Sequence, residues 1–347
     1  MLTTTVRADH GSDFAGLRKL ITEAGLLDRR PLYYTARIGG VALAFAAGWA
    51  TLLLGGDSWW QLLTAAVLAL VSVQIALVAH DLAHRQVFRT RRPSEIAGML
   101  AGNLCIGMSY GWWMDKHTRH HANPNHEDLD PDVIPDILVW SKQQAESSRG
   151  IARVIGRWQA FLFFPLLTLE GVNLHVSSVR ALRRKALRHR GIEAFLLALH
   201  VAAFVTVPFL ALAPGKAVLF LVVHQVIFGV YLGCTFAPNH KGMPTLTGEQ
   251  RLDFLRRQVL TSRDVRGNIL IDVAMGGLNY QIEHHLFPNM PTPNLRRAQP
   301  IIMDYCARTG IPFERTGLID SYTRALRHLH QVGAPIRLTP AATRDSG

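Results

Sequence analysis

The chain has 347 residues, 49% of them hydrophobic and 18% charged, with a formal net charge of +12. That length leaves room for two soluble domains, but the apolar residues gather in long blocks separated by basic segments. This patterning excludes an ordinary soluble core and argues against nucleic acid as the partner of the excess charge. The three cysteines, Cys105, Cys234 and Cys306, are too scattered for a CxxC metal site or a disulfide framework.

Residues 1–37 read as a cytoplasmic lead-in, lacking the basic, apolar and small-residue succession of a secretory signal. A spanning helix needs about 20 apolar residues, because a rise of about 1.5 Å per residue must cross about 30 Å of hydrocarbon. Segments 38–56 and 59–79 meet that need without a charged residue, with Gly55-Gly56-Asp57-Ser58 as the reversing turn between them. Segments 194–213 and 217–238 do so again around Pro214-Gly215-Lys216.

Two further apolar stretches, 96–114 and 158–179, are not expected to span. The first holds Gly98, Gly102, Gly107 and Gly111 with Asn103, Ser109, Trp112 and Trp113, which suit an interfacial or re-entrant helix. If it crossed, the histidines before and after it would lie on opposite sides of the bilayer. The second carries Glu170, Asn173 and His175, polar groups that are costly in lipid. The expected fold is an all-α integral membrane protein with four transmembrane helices in two hairpins, interfacial helices and a cytoplasmic His-rich cap. The membrane domain is expected over 38–310, followed by a cytoplasmic extension over 311–347 whose last ten residues read as a frayed tail.

Basic flanks supply the orientation. Arg29, Arg30 and Arg37 precede the first hairpin, Arg85, Arg89, Arg91 and Arg92 follow it, and a run from Arg180 to Arg190 precedes the second. By the positive-inside rule these flanks, and with them both termini, are cytoplasmic. The same basic surface suits anionic headgroups, an anionic acyl carrier or an acidic electron donor.

Of sixteen histidines, half fall in four places: His80-Asp81-Leu82-Ala83-His84, His117-Thr118-Arg119-His120-His121, Asn239-His240, and Gln281-Ile282-Glu283-His284-His285. Residues three and four apart share a helix face, so His80 with His84, and His117 with His120 and His121, are placed to meet one metal each. Imidazole binds Fe, Zn, Cu and Ni alike, but eight histidines exceed the needs of one ion and imply two. A His-rich metal transporter would place its ligands at broken helices near the bilayer midplane. Here the clusters flank the spans on one side, and a site just above a hydrocarbon layer can receive a long acyl chain whose carrier remains in water. His10, His126, His175, His189, His200, His328 and His330 read as surface or core residues, and His224, inside an apolar span, as a tunnel-lining candidate.

The HDxxH, HxxHH and QxxHH boxes, in this order and separated by hairpins, resemble those of the membrane fatty acid desaturases. The sequence from Gly276 to Pro288 and the run Ala237-Pro238-Asn239-His240-Lys241-Gly242 resemble the branch with acyl-lipid and front-end enzymes. The resemblance covers about residues 38–310. It implies that His80, His84, His117, His120, His121, His240, His284 and His285 hold two non-haem irons. Gln281 stands where many relatives have a ninth histidine, and its amide oxygen is a candidate ligand, directly or through water.

The resemblance also implies an O2-dependent oxidoreductase that introduces a cis double bond into an acyl chain; a lipid or carotenoid hydroxylase or ketolase on the same centre is the nearest alternative. Many front-end relatives carry a fused cytochrome b5 domain with an HPGG sequence, which this chain lacks. Electrons are therefore expected from a separate ferredoxin, cytochrome b5 or flavin-dependent reductase. Acyl-lipid, acyl-CoA and acyl carrier protein remain equal as substrate forms. Imidazole ligands commonly give their second N–H to a carboxylate or carbonyl, and Asp81, Glu283 and Asn239 are the nominated supports, with Asp115, Asp264, Asp272 and Asn279 also near in sequence. Trp112, Trp113, Phe236 and Tyr280 are expected to pack or to line a tunnel.

Overall fold

A computed structural model describes residues 11–184, 186–248, 250 and 252–338. His10, Lys185 of the basic run and nearly all of the expected C-terminal tail lie outside these. The order begins with α1 (Gly11–Glu23), α2 (Pro31–Leu54), α3 (Gln61–Ala83) and α4 (Arg91–Met99), a π-helical turn over Leu100–Cys105, and α5 (Tyr110–Ala122). It continues with α6 (Lys142–Ser147), α7 (Gly150–Leu167), α8 (Glu170–Ala181), α9 (Arg190–Ala211), α10 (Pro214–His240) and α11 (Phe254–Leu260). Then come β1 (Asp264–Arg266), α12 (Ile269–Ala274), α13 (Gln281–Leu286), α14 (Thr292–Arg308), β2 (Arg315–Gly317), α15 (Leu318–Val332) and α16 (Ala334–Leu338).

Helices α2, α3, α9 and α10 are long and apolar enough to cross a membrane, and they are the four expected from sequence. Each extends past its uncharged core. Pro31 and Pro214 open α2 and α10 at positions where a missing N–H costs nothing. The second reversal is therefore Leu212-Ala213, with Pro214 inside the helix. Asp57 in the first turn accepts from the Ala213 backbone N–H at 3.0 Å and from Lys216 Nζ at 2.9 Å, tying the two turns together. In its most apolar window α3 is 56% buried and α2 11%, so α3 is the central span and α2 the peripheral one.

The stretch 96–114 is broken rather than a single helix. Its chain turns at Gly107, whose φ of +70° places the backbone where a Cβ would meet the His175 and His200 rings. Glu193 holds the turn: its carboxylate accepts from Asn103 Nδ2 at 3.0 Å, Ser109 Oγ at 2.6 Å and the Gly111 backbone N–H at 3.2 Å. Ser109 in turn caps α5 by accepting from the Trp112 N–H. The stretch 158–179 is likewise divided, with α7 and α8 bent 84° apart. At the crossing of α8 over α10, Gly229 lets the Leu167 carbonyl and Gly171 amide approach the α10 backbone.

The segments after α10 form the cap. Leu17 and Ile21 of α1 pack with Leu255 of α11, Ile282 of α13, and Leu295 and Ile302 of α14 in one apolar core. The parallel pair β1–β2 matches Asp264 with Arg315 and Arg266 with Gly317. Pro238 removes an N–H that would have paired with the Cys234 carbonyl, and that carbonyl accepts from Tyr322 Oη of α15 at 2.5 Å instead. The fully buried Arg263 guanidinium donates to the Pro238 carbonyl and to Ser321 Oγ. These bonds fix the end of α10, and with it His240.

Candidate metal centre

All eight clustered histidines converge, in two groups. His80, His84, His117, His121 and His284 bring ring nitrogens within 4.8 Å of one another, and His120, His240 and His285 do the same. His80 lies in the last turn of α3 and His84 is its cap, four residues apart on one face. Helix α5 serves both groups, since His117 and His121 turn to the first and His120 to the second. Helix α13 is also shared, with His284 in the first group and His285 in the second. His80 and His84 share one group as expected, but His120 parts from His117 and His121: adjacent helical residues point about 100° apart, so each doublet contributes to both groups.

In the first group, Nε2 of His84 and His117 are 2.8 Å apart, those of His117 and His121 3.0 Å, and those of His121 and His284 3.2 Å. The buried His80 Nε2 has no hydrogen-bond partner. The Trp113 indole stacks on His117 with centroids 4.3 Å apart and planes at 17°.

In the second group the tautomers are fixed by acceptors behind each ring. His120 Nδ1 donates to Asp130 at 3.0 Å, His240 Nδ1 to the Thr261 carbonyl at 3.0 Å, and His285 Nδ1 to Gln258 Oε1 at 2.9 Å. The Gln258 amide is itself oriented, because its Nε2 donates to the His121 carbonyl. Each Nε2 therefore presents a lone pair. Those of His120 and His240 face each other at 3.3 Å, and those of His240 and His285 at 3.1 Å. Converging lone pairs repel unless a cation lies among them, so this donor set fits a metal ion.

Burial first, and neighbouring imidazoles second, press His117, His121, His284 and His285 well below their ordinary values, which keeps them neutral and able to ligate. Burial presses on His120 as well, but Asp130 more than offsets it and holds that ring above its ordinary value.

Asp130 was not among the supports nominated from sequence. It lies ten residues beyond His120 and is fully buried, and its carboxylate also accepts from the Asn125 and Asp132 backbone N–H groups. Of the nominated supports, Asp81 has Oδ1 3.6 Å from His80 Nδ1, while its Oδ2 accepts from Thr292 Oγ1 at 3.1 Å and lies 3.3 Å from Arg37 Nη1. Glu283 meets no donor and faces Asp264; burial and that second carboxylate push it well above its usual range. Asp264 accepts from the Ile282 N–H and from Gln299 Nε2. Asn239 touches Gln281, whose Nε2 is 2.9 Å from His240 Nε2. Asp115 pairs with Arg119 on the surface, and Asp272 accepts from Asn279 and Tyr280.

His175, His200 and His224 line one small buried cavity among the spans, the first two with Nε2 atoms 3.1 Å apart. Trp112, Trp113 and Phe236 pack against the core between the spans and Tyr280 belongs to the cap core.

Comparison with known proteins agrees with this geometry. Residues 57–317 match the family model described as fatty acid desaturase. The chain is 31% identical over 331 residues to an acyl-lipid (9-3)-desaturase of Physcomitrium patens, covering 92% of this chain and 62% of that protein. It is 28% identical to fatty acid desaturase 3 of Bos taurus, over 92% of this chain and 73% of the relative. It is 27% identical to a delta(8)-fatty-acid desaturase of Helianthus annuus, over 95% and 75% respectively. The chain thus spans about three-fifths to three-quarters of the length of these relatives. With four span-capable helices and a matched region that holds all eight converging histidines, the chain belongs to the fatty acid desaturase family as an integral membrane protein.

Proposed function

We propose that the chain is an O2-dependent, two-iron desaturase that converts a CH2–CH2 unit of an acyl chain into a cis double bond, drawing electrons from a separate donor protein. The observation that carries this reading is the pair of imidazole groups, five and three strong, at the ends of α3 and α10. The five-member group would hold one ion and the three-member group the other. Iron bound there would supply O2 reduction and hydrogen abstraction, chemistry beyond any side chain.

The protein's own part is placement. Asp130, Gln258 and the Thr261 carbonyl keep the Nδ1 protons of three ligands in place, so their Nε2 lone pairs stay directed inward. The cap core built on α1, α11, α13 and α14 keeps water from His284 and His285, both only 1% exposed. The spans bring the lipid phase up to His80. Neighbouring methylenes are chemically alike, so the bond position is set by how the chain is held.

The basic flanks Arg29, Arg85 and Arg89 lie at the histidine-rich end, and by the positive-inside rule they support a cytoplasmic reading of that end. They line a cavity of about 400 Å³ whose wall includes His84. No carboxylate pairs with these three arginines among the described residues, and a carboxylate-rich electron carrier is complementary to them. The similarity to an acyl-lipid enzyme favours a glycerolipid-bound acyl chain.

The test is double-bond-resolved lipid analysis of a host expressing wild type or His120→Ala, with metal analysis of both proteins. The expected result is a new unsaturated species and about two irons per chain, with the species lost in the variant. An oxygenated product would replace desaturation by hydroxylation or ketolation, and zinc without any product would overturn the enzymatic reading.

A further inference from the structure

Gln281 occupies the position within the three-histidine group where another donor atom is expected, and its side chain is buried. Which end of its amide faces the group decides what it does there, and the surrounding hydrogen bonds decide the end. A single atom of Asn239 touches both the Thr235 carbonyl oxygen, at 3.2 Å, and the end of the Gln281 amide that faces away from the group, at 3.1 Å. The Thr235 carbonyl can only accept, so the Asn239 atom against it must be the amide nitrogen. That same nitrogen then requires the Gln281 atom it meets to be Oε1. The remaining end of Gln281, its NH2, is left 2.9 Å from His240 Nε2 and directed into the group. Turning Gln281 over would set two NH2 groups against each other, and turning Asn239 with it would set two oxygens together at Thr235.

We infer that Gln281 enters the second metal position as a hydrogen-bond donor, not as a ligand, and that Asn239 is the positioning residue that fixes it so. The inference rests on the two-iron reading given above. It makes the two positions unequal: the protein supplies five imidazoles to one ion and three to the other. The remaining coordination of the second ion is left to groups that come from outside the protein, and Gln281 offers an N–H to whichever of them accepts.

The experiment compares wild type, Gln281→Leu, Gln281→Met and Asn239→Asp, each purified in detergent. It reads iron per chain, the rate at which a chelator removes each iron, and the Mössbauer spectrum of the reduced protein. If the inference holds, Gln281→Leu and Gln281→Met keep two irons, lose the second no more than about threefold faster, and leave both quadrupole doublets in place. Asn239→Asp cannot donate to Gln281 Oε1, so the amide is freed to turn its oxygen inward and one doublet shifts. Adding Gln281→Leu to Asn239→Asp should reverse that shift, which a merely structural role for Asn239 would not do.

Loss of one iron in both Gln281 variants, with wild type holding two, overturns the inference alone. Wild type without iron overturns the site reading beneath it. Should the variants fail to fold, an iron-loaded wild-type structure decides: a Gln281 side-chain atom at about 2.1 Å from the second ion, a bonding distance for first-row metals, would overturn the proposal. Separation beyond hydrogen-bond contact with the ion's ligands would do so too.

Discussion

Asp130 shows how much a single residue outside the histidine boxes contributes to the centre. It fixes the His120 tautomer from within a loop whose turn depends on Asn125, held at a φ of +55°. Replacing it with alanine should weaken metal binding at the three-histidine position by about 10–100-fold, the usual cost of losing a ligand's supporting partner; chelator competition on the purified protein measures this.

The clustered histidines also set a pH limit. Buried His117, His121, His284 and His285 are neutral in the fold, whereas in the unfolded chain they take up protons below about pH 6.5. The unfolded state therefore binds more protons on the acid side, and stability from these groups is complete above about 6.5 and lost as pH falls below it. Iron retention and melting temperature, followed from pH 8 to 5, should both fall in that lower range, and a flat profile would count against neutral imidazole ligands.

The eight histidines were legible because their spacing and clustering are local. Asp130, Gln258 and the Thr261 carbonyl were not, because each meets its histidine only after the chain has folded back across 10 to 27 residues. Glu283 misled for the opposite reason. It directly precedes His284 and His285 in sequence, but the helix directs it away from them, toward Asp264.

At the scale of elements, the four spans were readable from length and lack of charge alone, and the two broken stretches from their glycines and polar residues. The bend geometry was not readable, because it depends on close backbone approach between helices far apart in sequence. Gly229 is the clearest case, since a Cβ there would lie 2.5 Å from the Leu167 carbonyl oxygen and 2.9 Å from the Gly171 amide nitrogen. Neither backbone atom has a side chain's freedom to yield. Gly229→Ala should force α8 away from α10 at a cost of about 1–3 kcal/mol. Thermal unfolding in detergent would show the loss, while Gly215→Ala, whose Cβ meets open space, should leave the melting temperature unchanged.

At the scale of the molecule, charge and hydrophobicity divide the work. The spans expose apolar side chains such as Leu43, Phe195 and Leu210 in the manner of a lipid-facing surface. The arginines collect beside His84. If an acidic carrier docks there, Arg29→Glu with Arg89→Glu should slow reduction by at least about tenfold at low salt and flatten its dependence on ionic strength. Stopped-flow reduction provides the rate, and unchanged salt dependence would place the donor elsewhere.

The clasp between α1 and α14 also carries a consequence for biogenesis. The helix nearest the N-terminus, through Leu17 and Ile21 and through the Asp13 carbonyl that accepts from Tyr305 Oη, packs onto one of the last helices to be synthesised. The clustered histidines follow the same division. Residues 80–121 give four imidazoles to one group and one to the other, and His240, His284 and His285 arrive only with the C-terminal third. A ribosome-bound chain thus passes through a long stage with both spans of the first hairpin made and neither histidine group complete. If iron fills these groups, both are complete only after translation has passed His285, so that a filled site would report that the chain has been made at least that far.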